Sequence, residues 1–175
     1  MVLDDDQDAC EHANTGGYGS VALFLSTFTN KIDRKGRVSV PASFRATVSA
    51  SSFNGIIVYQ HLSLPCIEGA DISFLEQMSN HLDTDFGPFN PEQMSMATAI
   101  LAGSSQLGFD PEGRVVLPQE LVAFAGVDGT ATFAGLGRRF QIWNPDAFMA
   151  HKAEAMQKAA VTGPTLSPFR GGGQS

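Results

Sequence analysis

Basic side chains crowd one short stretch of this chain. Lys31, Arg34, Lys35, Arg37 and Arg45 are five of its eleven lysines and arginines, and Asp33 is the single acid between Lys31 and Arg45. Guanidinium and ammonium groups gathered this closely can pair with phosphate oxygens, and an arginine fork matches the two acceptors on the major-groove edge of guanine. The plain alternative is a charged hairpin tip that is merely solvated. Other chemistry has little support. His12, His61, His81 and His151 are scattered and form no ligand-spaced pair. No phosphate loop, dinucleotide fingerprint or nucleophile elbow occurs. The acidic run Asp4, Asp5, Asp6, Asp8 lacks the spacing and the glycine of a calcium loop. Met78, Met94 and Met96 read as core filler. Neither a catalytic set nor a metal site nor a cofactor is expected, and no small-molecule substrate.

The basic residues sit on a recognisable local frame. Asn30 to Pro41 reads as strand, tight turn, strand, then a helix opened by proline. Asp33 at the first turn position and Gly36 at the fourth suit a type I turn, with Gly36 tolerating the positive φ that follows. Ile32, Val38 and Val40 alternate toward one face, as in half-buried strands. Asp33 is expected to accept backbone N–H bonds within its turn and to orient Arg37 across it.

The plan returns 77 positions later as Asp110-Pro111-Glu112-Gly113-Arg114-Val115-Val116-Leu117-Pro118. Residues 33–45 and 110–122 share five identical positions of thirteen: Asp, Gly, Arg, Val and Pro. A repeat of this kind marks two related halves. Asp33, Gly36, Asp110 and Gly113 are therefore the turn-structuring residues. The tips differ: Arg34-Lys35 in the first copy, Pro111-Glu112 in the second.

The run FLSTFTNKIDRKGRVSVPASFR, residues 24–45, resembles the opening of the MraZ family, bacterial transcriptional regulators built from two SpoVT/AbrB-type half-domains. The second block at Asp110 and the later Phe140-Gln141-Ile142-Trp143-Asn144 fit the same family, so that the resemblance covers roughly residues 24 to 155. It implies a mainly β, α+β fold in which the two repeats form one swapped-hairpin barrel with flanking helices. It implies a homo-oligomeric ring that binds repeated promoter sites on double-stranded DNA upstream of the division and cell-wall gene cluster, as a repressor. Lys31, Arg34, Lys35, Arg37, Arg45 and Arg114 are the expected DNA-binding residues. Arg34 and Lys35 would reach from the tip, Lys31 and Arg37 line the flanks, and Arg45 touch backbone phosphate. The family uses both halves, and the Pro111-Glu112 tip departs from that expectation at Arg114. The rival class is a non-catalytic oligomeric scaffold or protein-interaction module. An antitoxin-like AbrB module fits less well, since it carries one such half.

Bulk properties agree with a small folded regulator. The chain has 175 residues, a net charge of −7 and 43% hydrophobic residues. That charge argues against DNA until its distribution is considered. Five of the eighteen acids lie in the first eleven residues, and Lys31 to Arg45 is locally +4. Local field steers partners more than total charge does. Two cysteines, Cys10 and Cys66, do not suggest a disulfide framework and favour a reducing cytoplasm; association with the nucleoid is what the family resemblance implies. No apolar run has the length of a membrane span.

Along the chain, the expected organisation is a disordered acidic leader over 1–23, a first half over 24–82, a helical connector over 83–104, a second half over 105–160 and a disordered tail over 161–175. Strands are expected at 24–32, 37–40, 55–59, 65–68, 106–109, 114–117, 131–136 and 139–143. Helices are expected at 42–50, 72–81, 92–102, 118–125 and 146–160. Asp71 and Asn144 are the predicted caps of the second and last of these helices.

Overall fold

The computed structural model describes residues 22–86 and 90–163. Most of the expected acidic leader, and the expected tail from residue 164, lie outside the described residues. The elements run β1 (Thr27–Lys31), β2 (Arg37–Ser39), α1 (Ala42–Val48), β3 (Gly55–Gln60), β4 (Ile67–Ala70) and α2 (Ile72–Phe86). A short helix α3 (Pro91–Met96) passes into a π-helical turn (Ala97–Ala102). Then come β5 (Ser105–Gly108), β6 (Arg114–Val116), α4 (Gln119–Phe124), β7 (Thr130–Gly135), β8 (Arg139–Trp143) and α5 (Pro145–Thr162). The fold is α+β, and its sheets are antiparallel throughout.

The two repeats interlock. Six strands form a sheet in the order β1-β7-β8-β4-β3-β5, and β2 pairs with β6 in a separate two-stranded ribbon. Read from either end, the order exchanges β1 with β5, β7 with β3 and β8 with β4. The first strand of each repeat therefore pairs with the other half: Phe28 faces Phe133, and Leu107 faces Ile56. Neither half could bury its strand edges alone.

The expected swapped-hairpin barrel is not closed by a continuous ring of ladders. The six-stranded sheet ends at β1 and β5, and the ribbon connects to those edges through the two tight turns. The turns explain this. β2 is three residues long, and its return from the turn leaves one isolated bridge, Ile32 to Val38, between it and the chain leading from β1.

Two apolar layers cover the sheet. Phe24, Phe44, Phe133 and Phe140 meet on one side with Ile32, Val38, Val40, Val115 and Leu117 from the hairpins. Their rings lie 4.9 to 6.3 Å apart, mostly tilted or edge-on, the arrangement that the ring quadrupoles favour. On the other side, Ile57, Tyr59 and Ala70 pack under Leu75 of α2 and Ile100 of the π-helical turn. Strand β3 is thus covered on both faces, which is why Ile56-Ile57-Val58 reads as an unbroken apolar run. Gly69 lets the Phe140 ring lie against the backbone of β4, where a Cβ would collide with it.

Several boundaries shift from expectation. β1 begins at Thr27, because Ser26 takes a positive φ of 73° and separates it from Phe24, which bridges to Gly137. The second helix does not stop at His81 but continues to Phe86, so it crosses the expected start of the connector at 83. The single helix expected over 92–102 changes winding at Ala97. The last helix runs to Thr162, two residues past the 160 boundary. Asp71 and Asn144 do cap: Asp71 Oδ1 accepts from Phe74 N at 3.0 Å, and Asn144 Oδ1 from Asp146 N at 2.9 Å. No described helix is long and apolar enough to cross a membrane.

Candidate nucleic-acid interface

Each repeat builds the same clamp from a four-residue turn. Gly36 N donates to Asp33 O at 2.9 Å, and Gly36 has a φ of +80°. Asp33 Oδ1 accepts the backbone N–H of Lys35 at 2.9 Å and of Arg37 at 3.0 Å. Its Oδ2 accepts Arg37 Nε at 2.7 Å. In the second copy Asp110 Oδ1 accepts from Glu112 N at 2.9 Å and Arg114 N at 2.8 Å, and Oδ2 from Arg114 Nε at 2.7 Å. Both carboxyls are held below the usual aspartate value, chiefly by the backbone and side-chain bonds from their arginines. The Arg114 guanidinium is pushed further up, first by its bond to Asp110.

The clamp has a chemical consequence. It uses the Nε edge of each guanidinium and fixes the side chain's direction. For Arg37, the Nη groups have no protein hydrogen-bond partner among the described residues. A guanidinium fork of this kind matches the paired acceptors of a phosphate or of a guanine edge. For Arg114 the Glu112 carboxylate lies against one Nη nitrogen, so this fork is partly occupied.

The ribbon presents both arginines on one surface. Register pairs Arg37 with Val116, Val38 with Val115 and Ser39 with Arg114. Val38 and Val115 point into the core, which places Arg37, Ser39, Arg114 and Val116 on the outer face. The turns are latched into the opposite strand: Leu117 N donates to Gly36 O at 2.9 Å, and Val40 N to Gly113 O at 3.1 Å. A two-stranded antiparallel ribbon has the width that the DNA major groove admits.

The remaining expected residues flank this face unequally. Arg34 and Lys35 occupy the exposed tip of the first turn. Lys31 ends β1, exposed, opposite Thr130. Arg45 does not project freely from α1. Its Nη1 donates to the carbonyls of Glu112 and Gly113, each at 3.4 Å, so it braces the second turn from the first repeat. Asn30 Nδ2 donates to Ser39 O at 2.7 Å and ties β1 to the ribbon.

Sequence reasoning passed over Ser39 and Val116, although each stands two residues beyond a clamped arginine and so shares its face. Arg138 and Arg139 stand at the start of β8, and both have protein partners. Arg138 donates to Gln77 Oε1 at 2.6 Å and lies 5.9 Å from the Phe74 ring centre. Arg139 Nε meets the buried Glu68 at 2.6 Å. Gln141 donates to Glu68 at 3.0 Å, and Trp143 Nε1 donates to Gln141 at 3.0 Å. This chain satisfies an acid that would otherwise be costly to bury. Beside it, burial first and the Glu68 charge second push both the Tyr59 hydroxyl and the Cys66 thiol up to about 12. Cys66 is free and buried, an inert core thiol. No group of three or more metal-ligating side chains occurs among the described residues.

Comparison with known proteins identifies the family. The profile of the family described as "MraZ protein, putative antitoxin-like" matches residues 100–164. The transcriptional regulator MraZ of Rhodospirillum rubrum is 44% identical over 142 residues, covering 80% of this chain and 91% of that protein. That of Rickettsia akari is 40% identical over 137 residues, 78% of this chain and 91% of its own. That of Pelagibacter ubique is 42% identical over 144 residues, 82% of this chain and 92% of its own. Similarity at this level runs through both repeats and spans nearly the full length of each relative, and on that ground the chain belongs to the MraZ family.

Proposed function

We propose that the protein is a sequence-specific regulator of transcription that lays its β2–β6 ribbon in the major groove of double-stranded DNA. The observation that carries this reading is the pair of aspartate-clamped arginines on one outward face. A clamp that fixes a guanidinium before it meets its target removes part of the ordering cost of binding. Arg37 and Arg114 read base edges; Lys31, Arg34 and Lys35 bind flanking phosphates. Arg45 contributes by shaping the second turn and adding local positive charge. The regulator acts as a repressor, without catalysis or cofactor, on promoter repeats of the division and cell-wall gene cluster, in the cytoplasm at the nucleoid. It works as a homo-oligomeric ring, in which repeated subunits on repeated sites gain affinity through effective concentration. The naming of its relatives as transcriptional regulators supports this reading.

The test is binding to the DNA upstream of the protein's own gene across a salt series, beside a scrambled duplex. Tight binding to the native segment with a steep negative salt slope is expected, and Arg37→Ala should lose most of it. Equal affinity for both duplexes would reduce the protein to a non-specific binder. No binding at low salt to either would refute the reading.

A further inference from the structure

The outer face of the β2–β6 ribbon holds four side chains: Arg37, Ser39, Arg114 and Val116. The exchange of repeats carries Arg37 onto Arg114 and Ser39 onto Val116. The arginines keep that symmetry and the second pair breaks it. Across the ribbon, Arg37 stands opposite Val116, and Arg114 opposite Ser39. Val116 is 55% exposed, whereas Val115 beside it is 2% exposed. A lone exposed apolar residue is ordinary on a protein surface. This one lies on the face where the other three side chains are guanidinium and hydroxyl groups aimed at a polar partner. The major-groove edges of the bases offer one apolar group, the 5-methyl of thymine.

We infer that Val116 is a specificity-determining residue: it packs on the methyl of a thymine beside the base read by Arg37, so the ribbon recognises an asymmetric site. The inference rests on the proposed DNA reading. Ser39 holds the matching place beside Arg114. Its hydroxyl both donates and accepts, and it therefore discriminates less between bases. Two repeats with identical arginines thus read different neighbours, and an asymmetric unit gives each subunit a defined direction along the DNA.

Duplexes are enriched from a random pool by the full-length chain. Each thymine of the enriched duplex is then replaced in turn by deoxyuridine, which removes only the methyl. One replacement is expected to weaken wild-type binding about fourfold, the weight of one buried methyl group. Val116→Ser should bind the thymine and uridine duplexes equally and assemble as the wild type does. The uridine series uses unaltered protein, so folding of a variant does not enter it. Three outcomes would overturn the inference: a ribbon-sized recognition unit that is two-fold symmetric, indifference to uridine at every thymine, or a penalty that persists in Val116→Ser. If no duplex is enriched, the underlying DNA reading fails, and that result is distinct from all three.

Discussion

The Asp–Arg clamp does two jobs with one carboxylate, and they separate under mutation and pH. Asp33 Oδ1 holds the turn while Oδ2 aims Arg37. The folded carboxyls of Asp33 and Asp110 titrate below the ordinary value of 3.8. A carboxylate depressed on folding stabilises the folded state above its unfolded pKa, and that contribution fades as pH falls through the folded one. Amide protection of Lys35, Arg37, Glu112 and Arg114 should therefore hold constant from neutral pH to about 4 and fall only below 3.8. Hydrogen exchange across a pH series checks this; loss of protection near pH 6 would mean another group controls the turns. Glu112 provides the second residue-scale test. It sits against the Arg114 fork, where its negative charge would oppose a phosphate. Glu112→Gln should tighten DNA binding by about 1 kcal/mol or less at moderate ionic strength, with the gain shrinking as salt rises. Weaker binding in that variant would mean that Glu112 orients Arg114 instead of opposing it. The clamp was legible in the sequence because all its bonds close within five residues. The Arg45 brace was not, because its acceptors are 67 and 68 positions away.

At the scale of elements, helix α1 inserts Phe44 into the middle of the aromatic layer, with Phe24 at 5.2 Å, Phe28 at 5.6 Å and Phe140 at 5.2 Å between ring centres. Those rings come from both repeats, so Phe44 joins the halves as well as filling the core. Phe44→Ala should cost about 3–5 kcal/mol of stability, read from denaturant melts. A loss under 1 kcal/mol would show that the layer collapses around the gap. The ribbon depends on a smaller feature: Gly36 lies at φ +80°, and a Cβ there would stand 2.6 Å from the Leu117 carbonyl oxygen. Hairpins, caps and most helices were readable from alternation, turn residues and N-cap chemistry, since those signals are local. The register of β1 on β7, the change of winding at Ala97 and the burial of Glu68 were not. Each is decided by partners distant in sequence, and Glu68 reads as an ordinary solvated strand residue until Arg139 and Gln141 are placed beside it.

For the whole molecule, charge is distributed where the proposed contact needs it, in spite of the net −7. The interlocked sheet fixes the ribbon and the Arg34–Lys35 tip on one body, so that in the proposed ring every subunit would offer the same pattern to DNA. In that arrangement affinity would depend on how many subunits engage at once, and a weak defect in each would be multiplied. The double reversal Arg34→Glu with Lys35→Glu tests this. Neither side chain packs in the core, since both are exposed at a turn tip, so thermal stability should stay within about 0.5 kcal/mol of the wild type. Each lost phosphate contact lowers the salt slope by about 0.9, and reversal adds repulsion, so binding to the native upstream segment should disappear at physiological salt. Light scattering should meanwhile report an unchanged assembly. If the assembly falls apart while the monomer stays folded, the tip is a subunit contact, and the repeated charge would belong to a scaffold instead of a DNA-reading surface.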